Sequence, residues 1–190
     1  IKIKEVTTMV IFKIINTIKQ ILCPTKDLEY ITRKFNEYNE RYFNRELPEI
    51  KIVVNNKLGQ IWGQFNSYTL LEEKTITPIQ IQLNMKELQN EYVFRNVLIH
   101  EMVHYWDCLK NQPSADKWVK ANEIRENCGS YVEAHSDNEQ IRLTYWTTIN
   151  WALGLYTNND HSPEFKEKCH ELNENFTELH LSESVFGPKL

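Results

Sequence analysis

The chain has 190 residues, of which 41% are hydrophobic and 25% charged, with 5 Gly and 6 Pro. This length and composition predict one folded domain and exclude a disordered, collagen-like or low-complexity chain. The net charge of −4 lacks the basic surplus that is typical of a dedicated nucleic-acid-binding protein. Four scattered cysteines without a Cys-x-x-Cys pair argue against a zinc ribbon and favour reduced thiols in a cytoplasmic, intracellular protein.

The N-terminal stretch predicts an amphipathic helix rather than a targeting or membrane segment. Val10, Ile14 and Ile18 recur at helical spacing, and a lysine interrupts the apolar run. No stretch approaches the roughly 20 apolar residues that are needed to span a bilayer, so no membrane partner is expected. We expect an N-terminal extension over residues 1–24 and one domain over residues 25–190.

The domain opens with a predicted amphipathic helix over residues 27–43, with Thr25 as its N-cap. The helix ends before Pro48, because a residue that precedes proline is disfavoured in the helical region. Three short β-rich runs follow, at residues 50–54, 61–65 and 76–83. In the third run apolar residues alternate with glutamines, which is the period of a half-buried strand. We expect the strand around Ile79–Leu83 to pair with an extended peptide, as an edge strand does.

The remainder of the chain is predominantly helical by pattern. Helices are predicted over residues 91–110, 116–127, 138–156 and 161–175. The last of these opens at Ser162-Pro163, and proline is favoured at the first position of a helix. A helix, a small sheet and then several helices together predict an α+β fold.

One helix carries a five-residue motif, His100-Glu101-Met102-Val103-His104. Four residues along a helix bring two side chains about 40° apart and about 6 Å along the axis, so both imidazoles can bind one zinc ion. Glu101 can reach a water on that ion and take its proton as general base. Roughly 0.02 chance occurrences of this motif are expected in such a chain. The motif therefore predicts a catalytic zinc.

A catalytic zinc needs a third protein ligand and one open position. Spacing leaves four histidines and three glutamates as candidates: His135, His161, His170, His180, Glu123, Glu126 and Glu133. Glu123, nineteen residues after His104, has the spacing of thermolysin-like peptidases. His161, at the mouth of the last predicted helix, is the other strong candidate.

The residues around the motif resemble the SprT-like zinc metalloprotease family, which includes the Spartan-like protease domains. Five segments in the same order carry the resemblance: Phe35 to Pro48, Leu58 to Phe65, Ile79 to Asn84, Val97 to Trp106, and His161 to Phe165. The resemblance implies a zincin-like minimal metalloprotease, α+β with a small mixed sheet. It also implies one zinc held by His100, His104 and His161, with Glu101 as general base.

The sequence departs from the family pattern in two ways. About 55 residues separate His104 from His161, which implies a large insertion at about residues 111–158, between the second and third zinc ligands. The insertion keeps Glu123 and His135 as alternative ligands. Ser162 stands where the family favours glycine.

The predicted function is zinc-dependent hydrolysis of peptide bonds in protein substrates, by a water that Glu101 activates. The Spartan branch of the family implies proteins associated with DNA as substrates, but the net charge of −4 does not support a DNA partner. One alternative is a non-catalytic metal-binding interaction module that docks through the insertion. Another is a thermolysin-like peptidase with Glu123 as the third ligand.

Overall fold

The computed structural model describes residues 26–155 and 161–182. Within these ranges the chain forms five helices and one three-stranded mixed sheet, which confirms the predicted α+β class. The predicted N-terminal helix lies outside the described residues. No described helix is long and apolar enough to cross a membrane.

The elements follow the predicted order, with bounds that differ at some ends. In chain order they are α1 (Leu28–Phe43), β1 (Lys51–Val54), β2 (Gly63–Leu70), β3 (Thr75–Leu83), α2 (Glu91–Lys110), α3 (Ala115–Ala134), α4 (Glu139–Leu153) and α5 (Pro163–Asn175). Strand β2 runs five residues past its predicted end, because β3 continues to pair with it as far as Leu70 opposite Thr75. Helix α3 likewise extends past its predicted end, to Ala134.

Helix α1 begins one residue later than predicted, and its N-cap is Asp27. The Asp27 carboxylate accepts a hydrogen bond from the backbone N–H of Tyr30 at 2.8 Å. A carboxylate at this position satisfies an unpaired N–H and interacts favourably with the helix dipole. The prediction of Thr25 as the cap was therefore wrong.

The sheet has the strand order β1-β3-β2, with β1 parallel and β2 antiparallel to β3. Strand β3 is thus the central strand, and over residues 80–83 it is paired on both sides. The prediction that the strand around Ile79–Leu83 pairs with an extended peptide was wrong. Alternation reports the two faces of a strand and not its neighbours. Within the part of the chain that the structure describes, the edges of this sheet are β1 and β2.

Helix α2 packs at the centre of the main hydrophobic core, where it contacts β2, β3 and α5. Several core side chains are completely buried, among them Ile81, Phe94, Leu98, Met102 and Phe165. Helices α3 and α4 pack on each other around a second core, which includes Trp118, Ile149 and Leu153. Leu71 and Ile76, at the β2–β3 turn, belong to this second core.

Asn39 holds the chain after α1 in place. Its side-chain amide donates to the carbonyl of Leu47 at 2.7 Å, and its Oδ1 accepts the Leu47 N–H at 3.1 Å. Asn39 and Leu47 are both buried, so the backbone groups of Leu47 depend on this one side chain for their hydrogen bonds.

We expect Asn39→Ala to lower the free energy of unfolding by about 2–4 kcal/mol, because two buried backbone groups lose their partners. Chemical denaturation measures the change. Asn36→Ala, at an exposed position on the same helix, is the matched control and should have little effect. Equal losses in the two variants would contradict the role assigned to Asn39.

Candidate metal centre

The first two histidines of the site lie on one face of α2. Asn90 caps this helix and accepts hydrogen bonds from the N–H groups of Tyr92 and Val93 at 2.8 and 3.2 Å. Because the helix is regular through the motif, residues four apart lie above one another. The ring centroids of His100 and His104 are 5.0 Å apart.

The third histidine reaches this face from far along the chain. His161 precedes α5, is only 3% exposed, and has its ring centroid 5.1 Å from that of His100 and 4.9 Å from that of His104. One candidate ligand atom from each residue lies within 4.8 Å of the other two, so the group could hold a metal ion. Among the described residues, this is the one such group of three or more.

Phe165 forms an apolar wall behind the three imidazoles. Its completely buried ring lies 4.1 Å from His161, 4.3 Å from His104 and 5.0 Å from His100, measured between centroids. The rings of Phe165 and His161 are nearly parallel, at 16°. Phe165 belongs to the first turn of α5, and His161 lies two residues before that helix. This end of α5 therefore contributes both the apolar wall and the third histidine.

The environment favours neutral imidazoles. Burial, together with the neighbouring His161, lowers the pKa of His100 to about 3, although a hydrogen bond to the backbone carbonyl of Ser182 opposes this shift. Burial and the two other rings lower the pKa of His104 well below its ordinary value. A neutral imidazole is the form that binds a metal ion, so the chemistry of this donor set fits one.

Glu101 is buried beside the histidines and is 5% exposed. Burial raises the pKa of its carboxyl to about 8, while a hydrogen bond from the backbone N–H of Phe65 in β2 opposes this shift. Gly63 allows the close approach of β2, because a Cβ at that position would lie 2.7 Å from Oε1 of Glu101 and 2.8 Å from a methyl group of Val97. A carboxyl with a pKa near neutrality can both accept and donate a proton.

The other ligands considered from the sequence lie outside the three-histidine group. All are exposed: His135, His170, His180, Glu123, Glu126 and Glu133. The Nδ1 atom of His135 is 2.8 Å from the carbonyl of Tyr131, and His170 lies 3.1 Å from the carboxylate of Glu174 in the same helix. The group that could hold a metal ion therefore contains His161 and not Glu123.

Sequence reasoning missed Asp107, which lies one turn beyond His104. Its Oδ2 accepts a hydrogen bond from the hydroxyl of Ser162 at 2.9 Å. Ser162 is the N-cap of α5, and its Oγ accepts the backbone N–H of Phe165 at 2.9 Å. The i+3 spacing of Asp107 from His104 is the signal that could have drawn attention to it, because it puts both residues on one side of the helix.

We expect the purified protein to bind one zinc ion and His161→Ala to lose most of it, whereas Glu123→Ala keeps its zinc. The reason is that only the first change removes a member of the three-histidine group. Metal analysis after dialysis against a weak chelator measures the zinc content, and circular dichroism confirms the fold of both variants. The reverse result would establish Glu123 as the third ligand.

Glu101 should make the stability of the metal-free protein depend on pH. Its pKa is raised from 4.5 to about 8 on folding, so the native state binds the proton more tightly. Its contribution is therefore complete below the unfolded pKa and is lost as the pH rises through about 8. Glu101→Gln cannot ionise, so metal-free E101Q should gain stability relative to the wild type as the pH rises from about 5 to 9.

Urea denaturation of the chelator-treated proteins measures this difference at each pH. Glu123→Gln, which changes an exposed carboxylate on α3, is the control and should follow the wild type. Parallel curves for E101Q and the wild type would contradict the buried, proton-holding state of Glu101.

Comparisons with known proteins bear on residues 31–121, where the chain matches the family model of the SprT-like family. The match includes α1, the whole sheet, α2 with its motif and the start of α3, and it ends before His161. Searches of curated proteins and of solved structures gave no match. The resemblance inferred from the sequence is thereby confirmed over residues 31–121, where the chain is similar to the SprT-like family.

Proposed function

We propose that this protein is a zinc-dependent metallopeptidase that hydrolyses peptide bonds in protein substrates. The observation that carries the proposal is the buried Glu101 beside three converging histidines, in a chain similar to the SprT-like family. A metal site with a structural role alone has no need of a buried carboxyl next to it. A site for hydrolysis needs such a group to move a proton.

His100, His104 and His161 would hold the metal, which we propose to be zinc. Three neutral imidazoles are a ligand set that catalytic zinc uses, with the fourth position open to water or substrate. Zinc, when bound, lowers the pKa of a bound water toward ~7 and polarises a carbonyl oxygen. Phe165 would keep water away from the far side of the imidazoles and limit their rotation.

Glu101 would serve as the general base and then as the general acid. Its carboxylate would take a proton from the attacking water as the new carbon–oxygen bond forms, and would deliver it to the nitrogen of the leaving amine. The raised pKa suits the second task, because a carboxyl with an ordinary pKa holds a proton poorly at neutral pH. The N–H of Phe65 orients the carboxylate for both steps.

The outer edge of β2, which pairs with no strand among the described residues, is the proposed docking line for an extended substrate. Strand β2 is an edge strand, and the hydrogen bond from Phe65 to Glu101 brings it alongside the proposed catalytic carboxyl. An extended peptide that adds to such an edge gains backbone hydrogen bonds without requiring a particular sequence. Strand β2 replaces β3 as the proposed docking strand, because β3 is paired on both sides over residues 80–83.

We further propose a zincin-like architecture with an insertion at about residues 111–158. This segment contains α3 and α4, which pack on the β2–β3 turn through the second core. Because β2 leads into that turn, the insertion lies on the same hairpin as the proposed docking strand. It would therefore serve as a wall that limits which protein segments reach the site.

We expect Glu101→Gln to lose peptide cleavage by about 100- to 10,000-fold while keeping its zinc, because the amide cannot take the proton. Cleavage of a panel of unfolded proteins, with zinc content measured in parallel, tests this. Glu123→Gln is the matched control and should keep full activity. Full activity in E101Q would contradict the proposed mechanism.

The same panel should be run with and without DNA, because the family branch that includes Spartan suggests substrates associated with DNA. Stimulation by DNA would extend the proposal to such proteins. A zinc-loaded wild type that cleaves nothing under either condition would favour a non-catalytic metal-binding module instead.

A further inference from the structure

We propose that the Asp107–Ser162 pair positions His161 for metal binding, by joining the chain immediately after this histidine to helix α2. The proposal rests on the proposed metal site and concerns how that site is assembled. Asp107 and Ser162 are positioning residues, since both would act through His161 and neither belongs to the three-histidine group.

The pair is part of a chain of hydrogen bonds. The backbone N–H of Phe165 donates to Oγ of Ser162, and the hydroxyl of Ser162 donates to Oδ2 of Asp107, both at 2.9 Å. The amide of Asn111 donates to Oδ1 of the same carboxylate at 2.6 Å. Both oxygens of Asp107 are therefore engaged, and the carboxylate is fixed in the orientation that receives Ser162.

Each end of this series of hydrogen bonds lies next to the three histidines. At one end Asp107 is three residues after His104 on the helix that carries the first two histidines. At the other end Ser162 follows His161 directly and fixes the N–H of Phe165, whose ring stacks on His161. The pair thus holds the start of α5 against α2. This in turn sets how far the His161 imidazole lies from those of His100 and His104.

The long separation in sequence explains why such a pair is needed. His161 lies 57 positions after His104, and bringing two such distant segments together costs conformational entropy. Any freedom left in His161 weakens metal binding. Serine also accounts for the departure from the family's glycine at this position. A glycine could form neither the N-cap hydrogen bond nor the hydrogen bond to Asp107.

Zinc affinity of the full chain, measured by competition with a chelator, tests the proposal. We expect Asp107→Ala and Ser162→Ala each to weaken zinc binding by about 10- to 100-fold, the range seen when residues that orient metal ligands are lost. Ser162→Thr keeps a hydroxyl that can form both bonds and should bind zinc like the wild type.

A helix-cap control separates positioning from stability. Asn138 caps α4 through a hydrogen bond from the N–H of Ile141, away from the histidines. Asn138→Ala should lower the free energy of unfolding, as Ser162→Ala does, without weakening zinc binding. If Ser162→Ala and Asp107→Ala reduce stability and leave zinc affinity unchanged, the proposal is overturned.

The His161→Ala background tests whether the pair acts through His161. There we expect Asp107→Ala to have no further effect on the residual zinc affinity. An equal loss in both backgrounds would overturn the positioning role while leaving the proposed peptidase intact. A wild type that binds no zinc would overturn the proposed function itself, and the positioning role with it.

Discussion

The packing of α2 between the sheet and α5 is the constraint on which the rest of the structure depends. Almost every side of this helix is buried, and the same twenty residues carry core side chains such as Leu98 and Met102 and the motif from His100 to His104. Because protein cores are close-packed, the polar side chains of the motif are held as firmly as their apolar neighbours. The candidate metal centre is therefore built into the core of the domain.

Burial of these polar groups would be unfavourable without partners. The structure supplies two of them: the Phe65 N–H for Glu101 and the Ser182 carbonyl for His100. A bound metal ion would satisfy the imidazole nitrogens as well. The shifted pKa values are the electrostatic consequence of this burial. The lowered pKa of His100 favours the neutral imidazole that binds a metal ion, and the raised pKa of Glu101 favours a protonated carboxyl in the metal-free protein.

Much of the fold follows from local patterns. The helical periodicity predicted α2 and α5 closely, and alternation located β3, because each pattern reports which side chains of one segment face the core. The central position of β3 did not follow, since strand order depends on pairing between distant segments. The N-cap at Asp27 was missed for a smaller reason: several polar residues near a helix start can cap it, and the exact first turn decides among them.

The sequence by itself determined the motif, its helix and hence the pairing of His100 with His104, because a spacing of four residues is fixed by helix geometry alone. It also marked out the SprT-like family, which the match over residues 31–121 confirms. The resemblance implied His161 as the partner of the two motif histidines, but only the tertiary structure places its ring beside theirs and leaves Glu123 outside the group. That placement depends on how α5 packs against α2, and on the bond between Asp107 and Ser162, which no local pattern encodes.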